Sequence, residues 1–363
     1  MPIRVLHVLN GLGRGGTEAF IMNVYRTIDR EKVQFDFLVR STENSAHEEE
    51  ITRLGGKIFI TPSFPRHFLQ NKKAVKKFFE EHAGEYEAVH VHANALMYVE
   101  PLKAAKKAGV KKIIMHSHST QAMNPIYKVW HLANKKRIGK WITHKLACST
   151  GAGAWMFGED YTLVNNGIRL DKFGFNPQKR GEIREKLGLK DSFVVGNVGR
   201  FVPVKNHTFI LDVFEEIKKQ REEAKLLLCG DGELRLEIEE LAAKKGLKED
   251  VIFTGNVANV EDYLQAMDVF LLPSKYEGAP VAMIEAQSTG LPCVASCNVP
   301  KDGCIEKAVL SIELQEKANV WALKILKFLV DWVRASQKAE FVKKGYSIES
   351  AAQFLEGIYL AKE

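Results

Sequence analysis

Short apolar runs alternate with longer amphipathic segments along the first half of the chain. The runs are rich in β-branched residues, and the segments between them have the apolar spacing of helices roughly 10–18 residues long. Continuous apolar strands that alternate with helices are typical of parallel sheets covered on both faces. The predicted strands are residues 3–9, 34–39, 57–61, 88–91, 112–115 and 145–148.

The same alternation restarts after a polar, irregular stretch at residues 165–190. From residue 311 onward the pattern predicts helices only, and the last helix is expected at residues 346–361. The predicted strands of this second part are residues 192–199, 224–229, 251–254, 269–272 and 292–296.

Two successive α/β units of similar size are more natural than one sheet of about a dozen strands. The sequence therefore predicts two Rossmann-like domains, residues 1–166 and residues 167–345. Residues 346–363 are expected to join the first domain, and a hinge is expected near residues 166–177.

The composition indicates where in the cell a protein with this fold is expected. The chain has 363 residues, a formal net charge of +7 and 27% charged residues, which is typical of a folded globular protein. No apolar run approaches the roughly 18–20 residues of a membrane span, and the first residues lack the apolar stretch of a signal peptide. We therefore expect a soluble, cytoplasmic protein. The five cysteines, an odd number, favour free thiols over a disulfide framework.

The positive charge is concentrated in the first domain. Residues 1–168 hold 24 basic and 15 acidic residues, and residues 101–158 contain no acidic residue at all. Within them, residues 125–145 carry six basic residues and two tryptophans, a pattern that suits an anionic membrane surface. The alternative is an ordinary helix with one solvated basic face. Nucleic acid is a poorer interpretation because no nucleic-acid module is present.

A glycine-rich loop follows the first predicted strand. Gly11, Gly13 and Gly16 satisfy the dinucleotide pattern G-x-G-x-x-G, and the helix that follows offers unpaired N–H groups to an anion. A dinucleotide site also wants an acidic residue at the end of the second strand, where this chain has Arg40. A nicotinamide site and a turn that serves only packing both stay open.

Two permanent cations lie on the loop after the first strand of the second domain. Arg200 and Lys205 are five residues apart, a spacing that can bracket a diphosphate through charge-assisted hydrogen bonds. The alternative is a solvated basic loop.

Two carboxylates flank a predicted helix start further along. Pro280 suits the first turn, so that Glu277 lies in the loop and Glu285 inside the helix, about 10 Å away. That separation is too large for a retaining acid–nucleophile pair. It suits two hydroxyl-bearing parts of one long ligand, with the unpaired N–H groups of Val281 and Ala282 left for anions. Helix N-termini also attract acids for dipole reasons alone.

Taken together, these motifs resemble the retaining family 4 glycosyltransferases of GT-B fold, and most closely those of bacterial capsule and exopolysaccharide biosynthesis. The resemblance covers most of residues 1–296 and implies two Rossmann-like domains facing each other across a cleft, with the C-terminal helix returning to the first domain. The motifs that carry it are Gly-Gly-x-Glu at 15–18, Asn-Gly-Ile-x-x-Asp-x-Phe at 166–173, Gly199-Arg200 with Lys205-Asn206, Gly230-Asp-Gly232, and the Glu277-x7-Glu285 block that ends in Gly-Leu-Pro.

The resemblance also implies roles for individual residues. Arg200 and Lys205 would bind the donor diphosphate and stabilise the leaving nucleoside diphosphate, and Glu285 would hold the ribose hydroxyls. Glu277 would hold hydroxyls of the donor sugar. The remaining donor-binding residues of these motifs are Asn206, Gly278, Ala279, Pro280 and Val281.

Two residues of the first domain complete the implied site. Gly16 would approach donor and acceptor, and His118 occupies the position where the family has a histidine near the donor sugar. His116 and His118 are neighbours at i and i+2, but no third metal ligand is evident. Cys293, with Cys297 and Cys304, has metal-like spacing but lies in a predicted buried strand. We therefore expect no metal and no cofactor.

The absence of any Asp-x-Asp in the sequence also favours a metal-independent reaction. The expected activity is retaining transfer of a sugar from a nucleotide-sugar, with UDP as the expected nucleotide, to a saccharide or lipid-linked saccharide. The expected place is the inner face of the cell membrane. The alternatives are a GT-B-shaped sugar-nucleotide epimerase and a non-catalytic saccharide-binding protein.

Overall fold

The protein is described by a computed structural model that covers residues 1–13, 15–41, 45–120 and 125–361, with side chains from residue 128 in the last range. The chain forms two compact units. Unit 1 comprises Met1–Ile168 and Gly345–Glu363, and unit 2 comprises Arg169–Lys344.

Unit 1 is built on a parallel sheet of seven strands in the order β3-β2-β1-β4-β5-β6-β7. The strands are β1 (Ile3–Val8), β2 (Val33–Val39), β3 (Ile58–Ile60), β4 (Ala88–Ala93), β5 (Lys112–Ser117), β6 (His144–Ala147) and β7 (Thr162–Leu163). The helices are α1 (Gly16–Thr27), α2 (Glu48–Arg53), α3 (Phe68–His82), α4 (Glu100–Lys107), α5 (Pro125–Lys135) and α6 (Thr150–Met156), with 3-10 turns at Ala83–Glu85 and Ile138–Lys140.

The central strands of unit 1 are apolar on both faces because helices cover both. Val5, Ala88 and Ile114 belong to one core, which includes side chains of α1. Leu6 and Val89 point into the opposite core, with α3 and α4. This double burial explains why the strands appear in the sequence as continuous apolar runs.

Unit 2 repeats the design with six parallel strands in the order β10-β9-β8-β11-β12-β13. The strands are β8 (Val194–Val198), β9 (Lys225–Cys229), β10 (Val251–Gly255), β11 (Val269–Leu272), β12 (Cys293–Ser296) and β13 (Val309–Ile312). The helices are α7 (Pro177–Lys186), α8 (His207–Lys218), α9 (Arg235–Lys244), α10 (Val260–Ala266), α11 (Val281–Ser288), α12 (Ala318–Phe328) and α13 (Lys338–Lys343), with 3-10 turns at Pro203–Lys205, Lys248–Asp250 and Glu306–Ala308.

The eleven predicted strands are confirmed, whereas the expectation of helices alone after residue 311 is wrong at its start. The chain runs into β13 before α12 begins. β13 is an edge strand, and three of its four residues are only partly buried. Such a strand lacks the continuous apolar run by which a central strand is recognised in a sequence.

The last helix, α14 (Ile348–Leu360), returns to unit 1, which confirms the expected C-terminal crossing. Ala351, Leu355 and Tyr359 are buried in the same core as α1. Ser347 caps the helix by accepting a hydrogen bond from the Ser350 amide at 3.1 Å.

The cysteines are all free, as predicted. Four are buried and Cys297 is exposed. No helix within the described ranges is long and apolar enough to span a bilayer.

Candidate active site

The strand order of unit 2 locates a candidate binding site. β8 pairs with β9 on one side and β11 on the other, so the connections leave in opposite directions from these two neighbours. In open parallel sheets, ligands bind beside the carboxyl ends of the strands at such a reversal. The Arg200/Lys205 loop follows β8, and the Glu277 segment follows β11.

The loop after β8 is fastened to the turn after β9. The Gly199 amide donates to Cys229 O and the Phe201 amide to Asp231 O, both at 3.0 Å. Gly230 (φ 141°) and Gly232 (φ 158°) leave room for this contact. A Cβ on Gly230 would lie 2.1 Å from Gly199 O, so the glycines allow two backbones to approach closely.

An ion pair connects the two motifs of unit 2. Lys205 Nζ donates to Glu277 Oε1 at 2.6 Å, with both side chains largely buried. The Lys275 amide donates to Val204 O at 2.8 Å and holds the two loops together. Arg200 is exposed, and its guanidinium has no hydrogen bond or ion pair within the described ranges. Arg200 is therefore available to bind an anion, whereas Lys205 must leave the Glu277 carboxylate before it can bind one.

Asn206 lies between these cations and α8 in the left-handed region (φ 60°, ψ 44°), where asparagine is tolerated. Its Nδ2 donates to Pro273 O at 3.3 Å. Asn206 therefore helps to fix the β8 loop against the β11 loop.

Glu285 is the fifth residue of α11, and its carboxyl has no hydrogen bond or ion pair to the described residues. Burial raises the pKa of Glu285 to about 8, and the negative charge of Glu261 adds to the effect. A carboxyl that is costly to ionise and lacks a partner is suited to accept hydrogen bonds from a bound ligand.

The sequence-based expectation about the N-terminus of α11 is wrong in one respect. The Val281 amide was expected to be unpaired, but it donates to Ala279 O at 2.9 Å. Pro280 occupies the N-cap position and accepts hydrogen bonds from the amides of Met283 and Ile284. The tight turn before the helix therefore occupies the Val281 amide, which was expected to be left for an anion.

Three buried polar residues near these loops belong to no motif by which the sequence could have identified them. Asn197 Nδ2 donates to Leu271 O at 2.8 Å across β8 and β11, while its Oδ1 has no partner within the described ranges. Ser274 Oγ is likewise unpaired. His207 stacks on Phe201 at 4.0 Å, has no partner for either ring nitrogen among the described residues, and has its pKa lowered by burial to about 4.

The glycine-rich loop of unit 1 leads from β1 into α1. Gly16 is the first residue of α1, and outside its chain neighbours and the helix's own backbone no described atom lies within 4 Å of the position that a Cβ would take. At the end of β2, Arg40 Nε donates to Asn10 Oδ1 at 2.9 Å, and its guanidinium lies 4.3 Å from the Tyr98 ring centroid. The Arg40 guanidinium therefore contacts residues of unit 1, whereas a dinucleotide site would need it to bind a phosphate.

His118 follows β5 at the carboxyl edge of the sheet and is partly buried. A third imidazole, which the sequence did not reveal, belongs to His92 on β4. One of its ring nitrogens lies within 4.8 Å of ring nitrogens of His116 and His118. His92 Nδ1 and His118 Nε2 are 2.9 Å apart, in hydrogen-bond contact. Three neutral imidazoles meet the ligand count of a metal triad, and the absence of a metal stays a prediction.

α5 presents a mixed apolar and basic face. His131 accepts from the Leu96 amide at 3.1 Å and stacks on Trp155, and Lys135 Nζ donates to Trp155 O at 2.6 Å. Lys135 is therefore engaged in the fold. The residues left exposed on the same segment are Lys128, Val129, Trp130, Leu132, Lys136, Arg137 and Lys140.

Two parallel-sheet units and a cation-rich loop paired with a Glu-x7-Glu segment define a GT-B glycosyltransferase. The family described as Glycosyltransferase Family 4 matches residues 14–172, and the family described as Glycosyl transferases group 1 matches residues 179–347. The chain belongs to the family 4 glycosyltransferases.

Two curated relatives are similar over nearly the whole chain, and a third is similar over part of it. The putative glycosyltransferase EpsF of Bacillus subtilis is 36% identical over 98% of this chain and 96% of its own. The capsular polysaccharide biosynthesis glycosyltransferase CapH of Staphylococcus aureus is 27% identical over 99% of both chains. An Escherichia coli UDP-Gal:alpha-D-GlcNAc-diphosphoundecaprenol alpha-1,3-galactosyltransferase is 31% identical over 61% of this chain and 60% of its own.

A solved structure has the same fold. HepE of Anabaena, in complex with UDP and glucose, superposes with a TM-score of 0.72 at 17% identity, over 98% of this chain and 95% of that chain.

Proposed function

We propose that this protein is a retaining glycosyltransferase that moves a sugar from a UDP-sugar to a lipid-linked saccharide in capsule or exopolysaccharide biosynthesis. The observation that carries the proposal is the pairing of two loops in unit 2. Lys205 and Glu277 are in direct contact, Arg200 is open to solvent, and the Glu285 carboxyl has no partner among the residues that the structure describes. The relatives in capsule biosynthesis support the pathway class.

In this proposal each polar group of unit 2 contacts one part of the donor. Arg200 and Lys205 bind the diphosphate, and Glu285 accepts hydrogen bonds from the ribose hydroxyls. Glu277, released from Lys205 by the diphosphate, accepts hydrogen bonds from the sugar, together with the backbone of Gly278 and its neighbours. Asn206 holds the β8 loop against the β11 loop, and Pro280 precedes the first turn of α11.

The proposed reaction needs no protein nucleophile. The bond between the anomeric carbon and the phosphate oxygen breaks, and the acceptor oxygen forms its bond on the same face of the sugar. The acceptor proton passes to the departing phosphate oxygen. Arg200 and Lys205 stabilise the negative charge that develops on the diphosphate. Within the proposal, the resemblance to the family assigns His118 of unit 1 to the surroundings of the donor sugar and Gly16 to the close approach of the ligand at the start of α1.

Nucleotide binding tests the donor site directly. HepE was solved with UDP, and the Escherichia coli relative is named for a UDP-sugar, which supports uracil as the base. In a thermal-shift screen of UDP, GDP and ADP, we expect UDP to give the largest rise in Tm, since a ligand stabilises the fold by mass action. Glu285→Ala should abolish the rise. A larger shift with GDP or ADP would overturn the base assignment.

Turnover tests the reaction class. A panel of UDP-sugars with an undecaprenyl-diphosphate saccharide should give a product whose anomeric configuration, measured by ¹H NMR, matches that of the donor. Activity should persist in EDTA. Epimerised sugar nucleotide, an inverted product or a covalent glycosyl adduct on a side chain would each contradict the proposal, and so would nucleotide binding without turnover.

The acceptor assignment has a separate test on α5. Its exposed apolar residues Val129 (66%), Trp130 (50%) and Leu132 (49%) lie beside Lys136 and Arg137, a combination suited to anionic lipid. The name of the Escherichia coli relative, which includes a diphosphoundecaprenol acceptor, supports this placement.

Reversing the charges of Lys136, Arg137 and Lys140 to Glu should abolish co-sedimentation with phosphatidylglycerol vesicles. The matched control reverses three exposed lysines of unit 2 and changes the net charge equally, so it should keep binding. Equal losses in both variants would indicate bulk charge only, and unchanged binding of the first variant would refute the membrane face. The control residues are Lys186, Lys190 and Lys244.

A further inference from the structure

Asn197 connects two strands of unit 2 where their main-chain pairing stops. β8 pairs with β9 over five register positions but with β11 over only two, and the second of these pairs Gly196 with Phe270. One residue further along, Asn197 Nδ2 donates a hydrogen bond to Leu271 O at 2.8 Å. The side chain therefore makes the next link between β8 and β11, at the edge from which the two loops of the candidate site leave.

The other half of the same amide makes no hydrogen bond. Asn197 Oδ1 has no partner among the described residues, and it is shut off from solvent because the residue is only 1% exposed. A buried carbonyl oxygen without a donor costs free energy in the folded protein, and surface water does not reach this one. The natural candidate for the missing donor is a neighbouring group that can change position.

The Lys205 side chain is such a neighbour. A Cβ built on Gly199 would lie 3.5 Å from both Cδ and Cε of Lys205, and 3.6 Å from Asn197 Oδ1. Oδ1 and the outer part of the lysine stem are therefore at most about 7 Å apart, and Gly199 has no side chain to stand between them. Since Nζ is one bond beyond Cε, rotation about the outer torsions of Lys205 can bring the ammonium to Oδ1.

Lys205 also has a reason to move. In the ligand-free site its Nζ donates to Glu277 Oε1 at 2.6 Å, and among the described residues Nζ makes no other hydrogen bond. The lysine side chain is 20% exposed, so without the carboxylate it is a largely buried cation that needs another acceptor. Asn197 Oδ1 is an unused acceptor beside it.

We propose that Asn197 is a positioning residue with two tasks. Its Nδ2 links β8 to β11, and its Oδ1 accepts a hydrogen bond from Lys205 whenever Glu277 no longer does. Lys205 thus has two positions, one on Glu277 and one on Asn197. The release of Glu277 by a donor diphosphate rests on the proposed function, while the second acceptor for Lys205 does not. With the donor bound, the Lys205 ammonium contacts the diphosphate and Asn197 Oδ1 together.

The second position is testable without any ligand, by removing the Glu277 carboxylate. In Glu277→Ala, the substitutions Asn197→Ala and Lys205→Met are made singly and together, and unfolding of unit 2 is followed by chemical denaturation. Lys205→Met keeps most of the stem and removes the ammonium. The pair should cost about tenfold less in the unfolding equilibrium constant than the two single effects combined, the size of one hydrogen bond to a charged group. The lost bond to Leu271 O cancels, since it is absent with and without Lys205.

The matched control is the same set of variants in the protein that retains Glu277. There Lys205 is held by the carboxylate, so the effects of Asn197→Ala and Lys205→Met should be additive. Coupling of equal size with and without the carboxylate would indicate contact through packing alone and would overturn the proposal. Additive effects in Glu277→Ala would overturn it as well.

A crystal structure of Glu277→Ala with Asn197 intact decides the same point if alanine at position 197 unfolds unit 2. Lys205 Nζ should lie about 3 Å from Asn197 Oδ1. An ordered water bound to Oδ1, with Nζ directed into solvent, would rule out the second position.

Nucleotide binding tests the role of Asn197 in the unaltered site. Asn197→Ala should weaken the binding of UDP about tenfold in titration calorimetry, and it should have no further effect once Lys205→Met is present. Uridine, which lacks the diphosphate, should bind equally with and without Asn197→Ala, and equal weakening of both ligands would mean a purely structural role. Unchanged UDP affinity would contradict the role in donor binding. If the protein binds no UDP, the proposed function fails, while the variants of Glu277→Ala still decide where Lys205 goes.

Discussion

The ion pair between Lys205 and Glu277 distinguishes two cations that look equivalent in the sequence. Lys205 has a carboxylate partner at 2.6 Å, while Arg200 is exposed and unpaired within the described ranges. Both are expected to face the donor diphosphate, but only Lys205 also contributes to the structure of the ligand-free site.

This difference predicts separable effects of two alanine substitutions. Arg200→Ala and Lys205→Ala should each lower kcat/KM by about 100-fold or more, because charge on the leaving diphosphate loses a cation. Only Lys205→Ala should also destabilise unit 2, by about 1–3 kcal/mol, because Glu277 loses its cation. Steady-state kinetics and calorimetry measure the two effects. Glu277→Gln should reduce the stability cost of Lys205→Ala, and equal destabilisation by the two alanines would contradict the assignment.

Glu285 predicts a pH dependence of nucleotide binding. Its pKa of about 8 means that the carboxyl is mostly protonated at pH 7 in the free protein. Ribose hydroxyls prefer the carboxylate as acceptor, so binding favours loss of the proton. The affinity for UDP, measured by titration calorimetry, should therefore rise between pH 6.5 and 8.5 by up to about tenfold per pH unit.

Glu285→Gln is the control for this prediction. It should bind UDP weakly and without that pH dependence. It should also be more stable than the unaltered protein above pH 8. A raised folded-state pKa contributes stability at low pH that is lost as the pH rises through about 8. A UDP affinity that does not change with pH in the unaltered protein would contradict the assignment of Glu285 to the ribose hydroxyls.

At the scale of elements, α14 shows how a distant segment completes a domain. Lys112 on β5 donates from Nζ to Tyr359 O at 2.7 Å, which ties α14 to the sheet. The neighbours Phe354 and Leu355 are 42% and 1% exposed, respectively. One side of the helix is core and the other side is surface.

Leu355→Ala should destabilise unit 1 by about 2–5 kcal/mol because it leaves a cavity in the core. Phe354→Ala, one position away, should cost less than about 1 kcal/mol because its side chain is largely exposed. Chemical denaturation, with hydrogen exchange of α1 peptides as the readout, measures the loss of unit 1 stability in both variants. Similar effects of the two substitutions would mean that α14 is not docked as described.

The elements also show which strands the sequence reveals. Central strands buried on both faces have continuous apolar runs, and all of them were predicted. The two missed strands, β7 and β13, lie at sheet edges. Both residues of β7 are exposed, and most of β13 is only partly buried, so neither strand has an apolar run to recognise.

At the scale of the whole molecule, each unit has cores of its own, and the proposed donor-site residues Arg200, Lys205, Glu277 and Glu285 all belong to unit 2. The net charge is divided differently. Residues 1–168 hold the basic excess, whereas residues 169–344, which form unit 2, contain 27 basic and 27 acidic residues. The surplus therefore does not arise from the proposed diphosphate site.

Separate cores predict separate unfolding transitions. Calorimetry should resolve two, and UDP at about 100 times its Kd should stabilise the transition of unit 2 by about 2.7 kcal/mol. Leu355→Ala identifies the other transition as that of unit 1. A single transition that UDP shifts as a whole would contradict independent units.

The features of this protein that depend on local pattern could be predicted without any knowledge of its packing. Alternating apolar runs and helices determined the α/β class and the positions of eleven strands. Arg200, Lys205, Glu277 and Glu285 could be proposed as site residues because each follows a recognisable strand or helix start.

Which of these residues meet depends on the order in which the strands pack, and no local pattern contains that order. Lys205 and Glu277 are 72 positions apart, and their contact depends on β8 and β11 being neighbours. The lack of a described partner for the Glu285 carboxyl, the hydrogen bond made by the Val281 amide and the contact between His92 and His118 likewise depend on how the elements pack. Apolar periodicity encodes which face of an element is buried, but not which element lies beside it.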